Sequence, residues 1–138
     1  MDESHLTPSY LPATLVYKGR WLVVPKIMDS EKFITLRKGL LEFLILGIVS
    51  SGRVYVAEMM QRLSKTDFAT QEGTLYPLLS KMRREQLLDY EWQESEAGPP
   101  RKYYKLAATG RKQLAEFREY WKSLTGLIDE LGKPSCKQ

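Results

Sequence analysis

The sequence predicts an α+β fold, mainly helical, and three observations carry that prediction. Residues 33–49 form an apolar run too long for an ordinary strand. Residues 88–106 switch to a period of two around a Gly-Pro-Pro tip, the pattern of a half-buried hairpin. Residues 114–131 repeat apolar side chains at steps of 3, 4, 3, 4 and 3, which only a helix aligns on one face. A chain of 138 residues with 43% hydrophobic and 28% charged residues suits one globular domain.

Residues 1–30 differ in character. They contain Pro8, Pro12 and Pro25 and no helical periodicity. Thr14 to Tyr17 and Trp21 to Val24 could pair across Lys18-Gly19-Arg20, a weaker turn than Asn-Gly, and a disordered leader is the alternative. From Phe33 to Val49 apolar groups occupy nearly every side, so the first helix is expected to be buried nearly all round, with Ser50-Ser51-Gly52 ending it. A second helix follows over about Tyr55 to Leu63, with Val56, Met59, Met60 and Leu63 inward, and Ser64 to Ala69 turns the chain.

The third helix poses a capping problem. Thr70 as the cap leaves Pro77 beyond the first turn, where it removes a bond and clashes; Thr74 as the cap places Pro77 in the tolerant first turn. The expectation is a helix irregular near Gly73 and regular after Leu75. Leu75, Leu78, Leu79 and Met82 form its inner face, leaving Gln71, Thr74, Tyr76, Ser80, Lys81 and Arg84 outside. In the hairpin, Leu88, Tyr90 and Trp92 share the greasy face of the first strand, and Lys102, Tyr104 and Leu106 share a face of the return strand. Pro99-Pro100 should stiffen the tip and keep it from pairing fully. The last helix, about Ala108 to Leu131, carries Leu114, Phe117, Trp121, Leu124, Ile128 and Leu131 as a heptad seam. Under three heptads is too short for a free-standing coiled coil, so the seam should pair with a second copy and also pack on the first helix.

A groove-sized helix beside a rigid hairpin tipped with Arg101-Lys102 is the layout of a winged helix-turn-helix, here with a long C-terminal dimerisation helix. That layout points to double-stranded DNA rather than to chemistry. The net charge of +4 permits such a partner without demanding it. Six basic and six acidic residues fall between 71 and 105, so any DNA footprint must come from placement and not from bulk charge. The single histidine, His5, and the single cysteine, Cys136, stand at opposite ends of the chain, which disfavours a metal site or a nucleophile–base pair. No catalytic residue, metal or cofactor is expected, and a cytoplasmic, nucleoid-associated protein is. No apolar run reaches the ~20 residues that span a bilayer, and the N-terminus lacks the pattern of a signal peptide.

Four segments resemble one family. Leu36-Arg37-Lys38-Gly39-Leu40-Leu41-Glu42-Phe43-Leu44-Ile45-Leu46 resembles the first-helix signature of the PadR-like transcriptional regulators, and Glu72-Gly73-Thr74-Leu75-Tyr76-Pro77-Leu78-Leu79 their recognition helix. Gly98-Pro99-Pro100-Arg101-Lys102-Tyr103-Tyr104 is similar to their wing, and Gly110-Arg111 with the following amphipathic helix to their closing helix. The resemblance covers about residues 34–131 and implies a dimeric repressor of the short subgroup, with one C-terminal helix. The short form with an extended N-terminus also resembles a cyanobacterial clock regulator, which implies control of clock-gene transcription. Two segments depart from the pattern. Val56-Ala57-Glu58 stands where the family has Gly-Tyr-Glu, and Ala107 where it has a capping Thr.

The expected DNA-binding residues are Gln71, Thr74, Tyr76, Lys81, Arg84, Arg101 and Lys102. Gln71 suits a base edge, Thr74 a base or the helix cap, and Tyr76 a phosphate or packing against the wing. Lys81 and Arg84 suit phosphates, whereas Arg83 suits an ion pair with Glu94 or a nearby acid. Arg101 and Lys102 suit phosphates or a narrow minor groove, or else a solvated tip. The expected dimer interface is Leu114, Phe117, Trp121, Leu124, Ile128 and Leu131; an effector between two copies of Trp121 is conceivable, but nothing identifies one. The chain then divides into an N-terminal extension (1–30), a DNA-binding domain (31–107) and a dimerisation helix with a polar tail (108–138). The rival readings are a winged-helix module that binds protein without DNA, and a small enzyme.

Overall fold

The computed structural model describes residues 13–17, 20–24 and 31–135. His5, Cys136 and the Lys18-Gly19 turn lie outside the described residues. Near the N-terminus, β1 (Ala13–Tyr17) pairs antiparallel with β2 (Arg20–Val24), Ala13 opposite Val24 and Tyr17 opposite Arg20. The remaining elements are α1 (Glu31–Val49), β3 (Val54–Tyr55), α2 (Val56–Ser64), α3 (Glu72–Arg84), β4 (Leu88–Ser95), β5 (Gly98–Leu106) and α4 (Ala108–Leu131). β3, β5 and β4 form one sheet in that order, with β5 central.

The core explains why these elements fold together. Ile45 and Leu46 of α1, Met59 of α2, Leu75, Leu79 and Met82 of α3 and Leu88 of β4 are all fully buried in one cluster. Each such side chain contributes roughly 1.5–3 kcal/mol by leaving water. Tyr104 of β5 and Leu114 of α4 complete the cluster, which ties the wing root and the start of the last helix to the three-helix core.

The burial of α1 corrects the expectation. Its C-terminal half is enclosed, but Phe33, Ile34 and Leu36 are each more than 40% exposed. Ile34, Arg37 and Lys38 stand beside the α2–α3 connection and Thr74 across a cavity, so the apolar N-terminal half lies at the margin of the protomer's core. The end of α1 follows the expected residues: the Ser50 and Ser51 hydroxyls donate to the carbonyls of Gly47 and Ile48, and Gly52 takes a φ of +143° that an L side chain rarely adopts.

α3 resolves its capping problem differently from either proposal. Gln71, not Thr70 or Thr74, is the cap, with extended backbone and no side-chain cap bond; its carbonyl accepts from the amides of Thr74 and Leu75 at 3.0 Å each. Pro77 therefore sits inside the helix. Its ring faces the carbonyl of Gly73, and both residues lie on the exposed side, where water can satisfy the orphaned carbonyl. The helix ends in a Schellman arrangement. Leu87 N–H donates to the Met82 carbonyl and Gln86 N–H to the Arg83 carbonyl, both at 2.9 Å, and Gln86 occupies the left-handed position at φ +62° that usually holds glycine.

The hairpin pairs further toward its tip than the prolines suggested. β5 begins at Gly98, opposite Ser95. Glu94 alone stands between the paired Gln93 and Ser95, whereas Pro99 and Pro100 both stand between Gly98 and Arg101, so the prolines occupy a bulge where no ladder donor is needed. The two-residue β3, opposite Tyr103 and Tyr104, was not expected from the sequence. α4 covers the predicted span. Its cap is Ala107, which makes no side-chain cap bond. A Cβ at Gly110 would run into the Leu87 carbonyl, so only glycine allows the helix to seat this closely on the root of the wing.

Candidate nucleic-acid interface

The exposed side of α3 and the wing form one continuous surface. Gln71, Thr74 and Tyr76 are all exposed on α3. Tyr76 and Glu72 line a cleft of about 550 Å³ together with Trp92, Pro100, Arg101 and Lys102 of the wing and with Tyr55, Val56 and Ala57. The cleft has aromatic walls and two cations on its wing side. Tyr76 thus stands beside the wing with 46% of its surface still open. Val56-Ala57, the departure from the family's second-helix motif, leaves small side chains where a tyrosine would narrow the cleft.

Trp92 departs from the expectation. It shares a face with Leu88 and Tyr90, but Leu88 is fully buried, Tyr90 is half-buried and Trp92 is 65% exposed. Alternation specifies a face, not how far along a strand the core extends. The hairpin outruns the core, so the same face changes from buried to open in two steps of the strand.

The cations of residues 71–105 divide into two groups. Lys81 is bound by Glu42 of α1 at 3.3 Å and Glu85 at 3.8 Å; the Glu42 contact is the main cause holding its ammonium above the ordinary lysine range. Lys105 lies 3.8 Å from Glu91, which also accepts from Arg53. That bond to Arg53 is the main cause lowering the Glu91 carboxyl below its usual range, and it raises Arg53 in turn. Among the described residues, Arg83, Arg84, Arg101 and Lys102 form no ion pair. Instead of pairing with Glu94, the Arg83 guanidinium lies 4.1 Å over the ring of Tyr90, and Arg101 stands 5.2 Å over Tyr55. The local charge is balanced in number but not in place. The paired cations turn toward α1 and the far side of the wing, whereas the unpaired ones line the side shared by α3 and the wing. Arg37 and Lys38, which are not among the expected DNA-binding residues, line a smaller cavity of about 210 Å³ with Thr70 and Thr74.

The seam of α4 also divides. Leu114 is 5% exposed and belongs to the protomer's own core cluster, where it also lines an apolar cavity with Phe43, Leu44 and Phe117. Phe117 stacks on Phe43 of α1 with centroids 3.8 Å apart, and Trp121 leans on Phe117 at 5.8 Å. Leu124 is half-buried, and beyond it the seam is open, with Ile128 61% and Leu131 76% exposed. Among the described residues, no three His, Cys, Asp or Glu side chains stand together to hold a metal ion, and no helix is long and apolar enough to cross a membrane.

Comparison with known proteins agrees with this geometry. Residues 45–116 match the model of the transcriptional regulator PadR-like family. A PadR-like transcription factor from Bacteroides fragilis is 38% identical with a TM-score of 0.65, the match covering 75% of this chain and all of that one. A PadR-like transcriptional regulator from Bacillus cereus is 36% identical with a TM-score of 0.64, covering 73% of this chain and 99% of that one. An uncharacterised protein from Lysinibacillus sphaericus is 25% identical over 95 residues, 67% of this chain and 87% of its own. The chain belongs to the PadR-like family of transcriptional regulators, a family of DNA-binding winged-helix proteins and not of enzymes.

Proposed function

We propose that this protein is a homodimeric, sequence-specific repressor that binds a palindromic operator. The observation that carries the reading is the set of unpaired cations beside the exposed side of α3. α3 enters a major groove, with Gln71, Thr74 and Tyr76 toward base edges or phosphates and Arg84 toward the backbone. Arg101 and Lys102 on the wing reach the adjoining backbone or minor groove. Lys81 acts mainly as a tie between α3 and α1, because two carboxylates already neutralise it. The chain divides in function into the extension 1–30, the DNA-binding region 31–107 and the dimerisation helix and tail 108–138.

The distal half of α4 supports the dimer. A solitary helical end exposing Leu127, Ile128 and Leu131 gains little from propensity alone and is stabilised by a second apolar face. A two-fold partner supplies one, with Trp121, Leu124, Ile128 and Leu131 at the seam and Phe117 at its edge. The two-fold axis then requires half-sites about one helical turn, ~34 Å, apart. Repression follows from occlusion of polymerase at the operator, at the nucleoid in the cytoplasm.

Fluorescence anisotropy tests this reading, using duplex DNA from the protein's own upstream region against a scrambled duplex. A preference of ~10³ or more for the native sequence is expected. Equal binding to both, with no preferred sequence recovered by genome-wide selection of bound DNA, would leave the winged-helix surface to a protein partner. The same selection identifies the target genes and decides whether clock genes are among them.

A further inference from the structure

A second concavity of about 390 Å³ lies between α3 and the wing, lined by Ser80, Arg83 and Arg84 on one side and by Lys102 and Tyr104 on the other. It differs from the first cleft in charge. The first contains Glu72, whereas the second is lined by three cations, none of them in an ion pair among the described residues.

Two of those cations share one seat. The guanidinium carbon of Arg83, from α3, lies 4.1 Å from the centroid of the Tyr90 ring, and Nζ of Lys102, from β5, lies 3.9 Å from the same centroid. Lys102 is also 5.3 Å from the ring of Tyr104 and 5.9 Å from that of Trp92. An aromatic ring attracts a cation through its quadrupole without neutralising it. A carboxylate in the same place would have cancelled both charges. Tyr90 therefore holds two side chains that are otherwise flexible and leaves their charge un-neutralised for an incoming anion.

The anion follows from the docking geometry. With α3 in a major groove and the wing against the adjoining minor groove, the strand that separates the two grooves must cross the gap between α3 and the wing. We propose that Tyr90 is a positioning residue that seats Arg83 and Lys102 as a two-sided clamp on one phosphodiester of that strand. The clamp rests on the DNA-binding reading above and adds two residues, Arg83 and Tyr90, to it. It reads no base, so its contribution is the same on any sequence, and it fixes the angle between the wing and α3 on the duplex.

The test uses the full chain and a random-sequence duplex of about 30 base pairs, since phosphate contacts are independent of sequence. Binding is followed by anisotropy across a salt series for wild type, Arg83→Gln, Lys102→Gln, the double variant, Tyr90→Phe and Tyr90→Leu. Each Gln variant is expected to bind roughly tenfold more weakly, and the double variant to lower the slope of log K against log salt by about 0.9, the share of one phosphate, with each single variant lowering it by less. The double variant should lose less than the product of the two, because both groups serve one phosphate. Tyr90→Phe keeps the ring and should match wild type. Tyr90→Leu should weaken binding and abolish the coupling between Arg83 and Lys102, a result that a purely packing role would not give. Additive Gln variants with an unchanged slope, or Tyr90→Leu indistinguishable from Tyr90→Phe, would overturn the clamp while leaving DNA binding intact. If Tyr90→Leu does not fold, the Gln cycle alone decides. A wild type with no salt-dependent affinity for the duplex would overturn the DNA-binding reading, and the clamp with it.

Discussion

The α3–wing surface and the distal half of α4 are both left unsatisfied in the single chain, but in different ways. The first has unneutralised charge: Arg83, Arg84, Arg101 and Lys102 rest on aromatic rings or open to water, while Lys81, Lys105 and Arg53 nearby are paired. The second has uncovered apolar area at Leu127, Ile128 and Leu131. Unneutralised charge suits a polyanion and should respond steeply to salt, whereas uncovered apolar area suits another apolar face and should respond little. The same domain thus prepares two kinds of partner, and salt separates them.

The largest expected effect breaks the apolar side alone. Trp121→Glu places a charge at the open seam, opposite its symmetry mate in the proposed dimer. The dimer dissociation constant should rise by about 10²-fold or more, read by light scattering as a shift to monomer mass. An unchanged dimer mass would remove the seam from the account. Next comes Gly110→Ala, at the joint between the two regions. The added Cβ meets the Leu87 carbonyl at the wing root, so α4 must lift and stability should fall by about 1–3 kcal/mol. Thermal melting checks this; a neutral effect would mean that the joint is looser than its geometry.

Ala107→Thr sharpens the comparison in the opposite direction. The position has cap geometry, φ −77° and ψ 163°, and no side-chain cap bond, so a hydroxyl there should add ~1 kcal/mol to stability without changing dimer mass or DNA affinity. The smallest effect concerns the paired cations. The Arg53 hydrogen bond lowers the Glu91 carboxyl below its unfolded value. Its stabilisation is therefore present at neutral pH and is lost as pH falls through the folded value. Glu91→Gln should melt slightly lower than wild type at neutral pH, and the gap should close on acidification. A gap that widens in acid would contradict the sign. Because Arg53 and Glu91 are solvent-exposed, the effect is small.

Much of this was legible in the sequence, for identifiable reasons. Period two marked β4 and β5, and the 3-4 repeat marked α4, because those elements each present one consistent face. The opening half of α1 was misread because its apolar residues were assumed to face the protomer's own core, whereas an apolar run does not say which molecule covers it. Trp92 and Leu114 show one cause: a stripe names a face, but its burial changes along the element as the neighbouring elements begin and end. β3 was too short to leave a pattern. The pairing of Lys81 with Glu42 joins residues 39 positions apart, and the seating of Arg83 on Tyr90 depends on how the turn after α3 sets β4 against the helix, so no periodicity announces either. The cap of α3 was missed because Gln71 serves through its backbone alone.

Hydroxyl-radical footprinting of the bound operator tests the central claim most directly, because it reports on both regions at once. The account predicts two protected tracts related by a two-fold axis, their centres about one helical turn (~34 Å) apart, with backbone protection where the wing meets each half-site. A single unsymmetrical tract, or protection that survives unchanged in the Trp121→Glu monomer, would contradict it.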